Sequence, residues 1–129
     1  MVLATLGNRI IALAALGDSG LAAFDLASHK LLWQTGFNNP VIATPALVNM
    51  TTHGSPRQVL AATATGRILL LNLADGRLRY HLRISVKPIE AAPLVISRGP
   101  NKSPEIVVAD DSFQLQAIST RGWLNPPAK

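Results

Sequence analysis

A chain of 129 residues that is 48% hydrophobic and only 15% charged has the apolar content of one folded domain, not of a disordered or charged tail. It has no cysteine, which excludes disulfides, thiolate nucleophiles and cysteine-held zinc or iron–sulfur centres, and no apolar run reaches the roughly 18 residues of a membrane helix. The formal net charge of +5 permits an acidic partner, although surface solubility alone accounts for a charge of this size.

The chain opens on short apolar runs broken by turns. Val2–Leu6, Arg9–Ala15, Gly20–Leu26 and Lys30–Gly36 read as four strands, with Gly7-Asn8 and Gly17-Asp18-Ser19-Gly20 among the breaks. The alanine-rich Ile11–Ala15 has helical propensity, but its flanking glycines and its place in the series argue for a strand. A second group follows: Val41–Asn49, Arg57–Thr63, Arg67–Leu73 and Arg77–Ile84. Gly66-Arg67 sits in one of its turns, and Asp75-Gly76 in the next gives a strong hairpin signal. A third group comprises Ile89–Ser97, Glu105–Asp110, Phe113–Ser119 and a truncated strand near Gly122–Leu124.

These groups are imperfect copies of one another. The phrase ending in Trp33 matches the phrase ending in Tyr80, 47 positions on. Pro104–Ala109 matches Arg57–Ala62 at the same step, and Pro45 matches Pro93 at 48. A period near 47 with four strands in each copy is the signature of β-propeller blades. The expected fold is therefore all-β, a partial β-propeller of about three four-stranded antiparallel blades. Blade 1 would span about 1–40, blade 2 about 41–88, and an incomplete blade 3 about 89–129. Blades bury both faces against their neighbours, which explains a run as continuously apolar as Ile68-Leu69-Leu70-Leu71. Closed propellers have about 4–8 blades, so the expectation is a piece of a longer propeller or a self-associating chain whose terminal faces are covered.

Gly20-Leu21-Ala22-Ala23-Phe24-Asp25-Leu26 followed by Lys30-Leu31-Leu32-Trp33 resembles the repeat of pyrroloquinoline-quinone-type propellers. Gly66-Arg67-Ile68 through Gly76-Arg77-Leu78 resembles it again, with Tyr80 in the tryptophan place. Pro104-Glu105-Ile106-Val107-Val108, and in part Leu47-Val48-Asn49, is similar to the FG-GAP repeats of integrin-like propellers. The first resemblance implies a catalytic Asp, a bound calcium, a Trp floor for the quinone and often a vicinal disulfide. The chain has no cysteine, and Trp33 and Trp123 are placed on fourth strands, where with Tyr80 they are expected to pack between blades. The second resemblance implies a calcium loop of several carboxylates. Asn49, Thr51 and His53 replace those carboxylates in one loop, and the loop from Ser97 keeps only Glu105, so no bound metal is expected.

Arg77, Arg79, His81 and Arg83 alternate along the outer strand of the second group, with Lys87 just beyond. Arg77, Arg79, Arg83 and Lys87 form the candidate partner-binding strip, for an acidic protein surface; charge on an outer strand also protects an exposed edge. No aromatic residue interleaves on that face to stack bases, so nucleic acid is disfavoured. Asp110-Asp111 falls in a turn that favours Asp for its geometry, without a placed catalytic partner. His29, His53 and His81 share no metal-ligand spacing. Asn49-Met50-Thr51 and Asn101-Lys102-Ser103 are sequons, so in a secreted eukaryotic chain Asn49 and Asn101 would be candidate glycan acceptors.

The expectation is a non-catalytic scaffold for a protein partner, with no enzyme activity and no cofactor. One alternative is a fragment of a larger quinoprotein-like enzyme whose active residues lie elsewhere. Another is a cell-surface or lumenal integrin-like repeat protein with decayed calcium loops. No signal peptide is visible, which fits a cytoplasmic chain if Met1 is its true start and a secretory or lumenal one if the sequence is a piece of something longer.

Overall fold

The computed structural model describes residues 2–35, 40–49, 57–89, 91–96, 103–112, 114–121 and 123. Every regular element among them is a strand: β1 (Val2–Leu6), β2 (Arg9–Ala15), β3 (Leu21–Asp25), β4 (Lys30–Thr35), β5 (Ala46–Val48), β6 (Gln58–Ala62), β7 (Arg67–Asn72), β8 (Leu78–Arg83), β9 (Leu94–Ile96), β10 (Glu105–Ala109) and β11 (Leu115–Ser119). They form three antiparallel meanders in chain order, β1-β2-β3-β4, β5-β6-β7-β8 and β9-β10-β11. Consecutive sheets pack face to face, as consecutive propeller blades do.

The period of 47 is visible atom by atom. The turn after the third strand is closed by Leu26 N donating to Ile10 O in the first sheet (3.0 Å), Leu73 N to Arg57 O in the second (2.9 Å) and Thr120 N to Pro104 O in the third (3.4 Å). A bulge interrupts the pairing of the outer strand between Ala23 and Phe24, and again between Leu70 and Leu71. The two copies of that irregularity set the hand-over from strand to turn identically.

The innermost strands are shorter than the apolar pattern suggests. Val41–Asn49 yields only β5, and Ile89–Ser97 only β9. The cause is proline: Pro40 and Pro45 precede β5, Pro88 and Pro93 precede β9, and none of them can donate to a ladder. These segments act as extended linkers instead. Val41 exchanges two hydrogen bonds of 3.0 Å with Gly17, and Ile89 N donates to Thr63 O at 3.2 Å, so each linker crosses its own sheet. Each also reaches the next one, since Ala64 N donates to Pro40 O (2.8 Å) and Asp111 N to Pro88 O (3.1 Å).

Two apolar layers result, with the middle sheet between them. Ile11, Leu13, Leu21 and Trp33 of the first sheet meet Val59, Leu69, Leu71 and Leu73 of the second. The opposite face of the second sheet, through Leu60, Ile68 and Leu70, meets Ile106, Val108 and Trp123. All five residues of β6 are buried, because it has a sheet on either side. A large aliphatic side chain fully buried in this way contributes about 1.5–3 kcal/mol. The middle sheet is thus enclosed on both faces, and the linkers tie it to the other two. The third sheet has three strands among the described residues; Trp123 lies in a bend, and Gly122 and Leu124 fall outside those residues.

Candidate functional site

Strand β8 carries the candidate strip. Its alternation puts Leu78, Tyr80 and Leu82 half-buried against the sheets and Arg79, His81 and Arg83 in solvent. Arg77 is exposed in the turn before it, where its N–H donates to Asp75 Oδ1 at 2.9 Å. The long side chains then diverge. Arg79 Nη1 reaches Asn72 Oδ1 at 3.5 Å, Arg67 Nη1 lies 3.4 Å from His81 Nδ1, and Arg83 Nε donates to Ser85 O at 3.3 Å. Lys87 is exposed, and its N–H donates to Ser85 Oγ at 3.0 Å.

The four cations therefore divide into two pairs. Arg83 and Lys87 converge on an open groove of about 560 Å³ at the seam of the second and third sheets, which Val86, Asp110, Ser112 and Gln114 also line. Arg77 and Arg79 lie at the opposite end of β8. The groove's floor is fixed by the linker after β8: Ile84 N and Ser85 N both donate to Gly66 O, at 2.9 and 3.2 Å. A side chain at residue 66 would overlap the Ser85 carbonyl, and Gly66 has φ 82°, so glycine is required there. From the other side Gln116 Nε2 donates to Ile84 O at 2.8 Å, which ties β11 to the same linker.

Asp110 holds the far wall. Its Oδ1 accepts from Ser112 N (2.9 Å), Gln114 N (3.3 Å) and the Ser112 hydroxyl, while Oδ2 accepts from Ser85 Oγ. The Ser112 and Ser85 hydroxyls, which bond only the charged form well, pull its pKa down to about 2. At the equivalent place of the second sheet Thr63 Oγ1 accepts from Arg67 N (3.0 Å) and Thr65 N (3.3 Å). The two turns are the same device, but a carboxylate has a second oxygen, and that oxygen crosses to the neighbouring sheet. Asp110 reads from the sequence as a turn residue; the available signal for more was Asp110-Asp111-Ser112 standing 47 positions after Thr63-Ala64-Thr65.

Trp33, Tyr80 and Trp123 lie on the seams. Trp33 Nε1 donates to Leu73 O at 2.8 Å in a buried bond, and its ring lies over Gly76 so closely that a side chain there would strike it. Tyr80 stacks on Trp123, with centroids 4.8 Å apart and planes 22° from parallel. Trp123 does not stand on a fourth strand. It occupies the turn position of Gly76, 47 residues earlier, which is also the position of His29, whose φ is 59°. The bicyclic Trp33 needs bare backbone beneath it, whereas the smaller Tyr80 leaves room that Trp123 fills.

The other candidates are not drawn together. Asn49 is half-buried after β5, and the rest of its loop, including His53, lies outside the described residues, as does Asn101. His29 is exposed in the β3–β4 turn and His81 is exposed on β8. A second groove, of about 400 Å³, lies at the opposite strand ends between the first two sheets, lined by Thr5, Leu6, Arg57 and Asn72 among others.

No protein-family model matches this chain, and neither does any curated protein. Solved structures do. BamB from Moraxella catarrhalis superposes with a TM-score of 0.64 at 14% identity, over 92% of this chain and 32% of that one. The computationally designed Ika4 protein gives 0.63 at 14%, over 91% and 63%. The C-terminal WD40 domain of Sif2 gives 0.61 at 13%, over 92% and 33%. At these identities the likeness is one of fold, and it defines the chain as β-propeller architecture. The chain spans about a third of the length of BamB and of the Sif2 domain.

Proposed function

We propose that this chain is a non-catalytic β-propeller module, built of repeats of the pyrroloquinoline-quinone-like type, that binds an acidic protein segment at the seam of its second and third sheets. The observation that carries this reading is the convergence of Arg83 and Lys87 on one groove, with Val86, 79% exposed, beside them. Two cations flanking an exposed apolar residue match a partner that combines carboxylates with a hydrophobic side chain. Arg77 and Arg79 extend the positive potential along β8 and act on encounter rather than on the bound contact.

The groove's carboxylate supports a binding role over a catalytic one. Both oxygens of Asp110 are taken up by hydrogen bonds, and a pKa near 2 makes it a poor base at neutral pH.

The test is fluorescence anisotropy with a labelled peptide of alternating Glu and Leu, titrated at several salt concentrations. Binding is expected to weaken as salt rises. Arg83→Glu with Lys87→Glu is expected to weaken it at least tenfold, and Arg77→Glu with Arg79→Glu by severalfold. A peptide affinity equal in the wild type and the Arg83/Lys87 variant would rule out this groove.

A further inference from the structure

Among the described residues two sheet faces are uncovered, and they are the two halves of an interface that the chain also makes internally. On the first sheet, pairing places Leu3, Ala12, Phe24 and Leu31 in one row across the face turned away from the second sheet. Leu3 is 59% and Leu31 51% exposed. Moved on by 47 positions, Ala12, Phe24 and Leu31 become Val59, Leu71 and Leu78, which pack the second sheet against the first. The outer face of the first sheet thus has the pattern of a surface that receives a preceding sheet.

The third sheet presents the other half. Leu94, Val107 and Ala117 share a row on its outer face, beside Leu115, which is 72% exposed. Moved back by 47, Val107, Leu115 and Ala117 become Leu60, Ile68 and Leu70, with which the second sheet covers the third. Isolated exposed leucines are ordinary, but rows that repeat a buried contact on both sides mark a surface built for a partner.

We infer that a second copy of this chain covers these faces head to tail, the third sheet of each copy lying on the first sheet of the other. The two faces differ from each other, as the two sides of each internal seam do, so the contact is heterologous. Two copies closed in this way bring six sheets around one axis, within the range of about 4–8 blades that propellers use. The new contacts continue the seams already formed inside each copy.

Analytical ultracentrifugation of the 129-residue chain tests this, with Leu31→Glu and Leu115→Glu as variants at exposed positions and circular dichroism as the check that each still folds. The wild type is expected to sediment at twice its 13.7 kDa mass at micromolar concentration. Each variant alone is expected to be monomeric, and an equimolar mixture to recover a dimer, because one sound face remains on each partner. A wild type that stays monomeric up to 100 μM overturns the inference. So does a Leu115→Glu chain that remains dimeric while Leu31→Glu does not, which would mean like faces pairing. Wild-type polymers that grow without limit would overturn closure at two copies.

Discussion

Strands β7 and β11 hold the same place in their sheets, 47 positions apart, yet their surroundings have little in common. β7 reads Arg-Ile-Leu-Leu-Leu-Asn, and its four central residues are buried. β11 reads Leu-Gln-Ala-Ile-Ser and alternates between exposed and half-buried. Ile68 is fully buried, and Leu115, its counterpart, is 72% exposed. Both are central in their meanders by sequence, but β7 has β8 on its far edge and a sheet on either face, while among the described residues β11 is covered on one face only. Burial of a strand in this fold is set by what lies beside its sheet, not by the strand's rank within it. Each sheet therefore depends on its neighbours for a core, as in other repeat architectures.

The largest expected effect separates these two strands directly. Ile68→Asp places an unpaired carboxylate inside the second apolar layer and is expected to cost more than about 4 kcal/mol, most of the stability of a small domain. Leu115→Asp at the same repeat position is expected to change stability by less than about 0.5 kcal/mol, at concentrations low enough to keep the chain a single copy. Urea unfolding of both variants measures the difference. Equal losses would show that β11 is as enclosed as β7, contrary to the packing described above.

The two seams offer a smaller contrast. Trp33 binds the middle sheet by a buried hydrogen bond to Leu73 O, and Tyr80 binds the third sheet by stacking on Trp123. Trp33→Phe keeps an aromatic ring but leaves that carbonyl without its donor, for an expected loss of about 1–3 kcal/mol. A double-mutant cycle of Tyr80→Leu and Trp123→Leu is expected to show a coupling of about 0.5–1.5 kcal/mol. A coupling near zero would mean that the rings only fill space. The candidate groove runs along the second of these seams.

Much of this arrangement is legible in the sequence because the repeat is written in its turns. Gly66-Arg67 and Asp75-Gly76 mark strand ends in the middle sheet, and a step of 47 transfers them to the others. The short β5 and β9 were less legible, since Val41-Ile42 and Ile89 look like strand residues and the prolines around them decide otherwise. Trp123 reads as a strand residue by its kind, although counting 47 from Gly76 puts it in the turn. The division of the basic strip depends on where Arg83 and Lys87 bend relative to the linker, and alternation along β8 carries no information about that. The bond from the Ser85 hydroxyl to Asp110 joins residues 25 positions apart, one in the linker after β8 and one in the turn after β10, beyond the reach of any local pattern.

The smallest expected effect concerns the turns of the second and third sheets, where Thr63 and Asp110 perform one structural task with different chemistry. Asp110 titrates near 2 when folded, below its ordinary 3.8, so between those values the unfolded chain binds more protons than the folded one. Its contribution to stability is complete above the ordinary carboxylate range, declines as pH falls from about 4, and is lost once pH passes about 2. Thr63 has no such dependence. Asp110→Asn keeps an oxygen for the N–H groups of Ser112 and Gln114 but no charge, so its melting temperature is expected to lie below that of the wild type at pH 6 and to converge on it toward pH 2. Because the carboxylate lies at the surface, added salt is expected to narrow the gap at pH 6. Parallel melting curves for the two proteins from pH 6 to pH 2 would show that Asp110 serves the third sheet only as Thr63 serves the second, through turn geometry, and that its bond to Ser85 adds nothing to the seam.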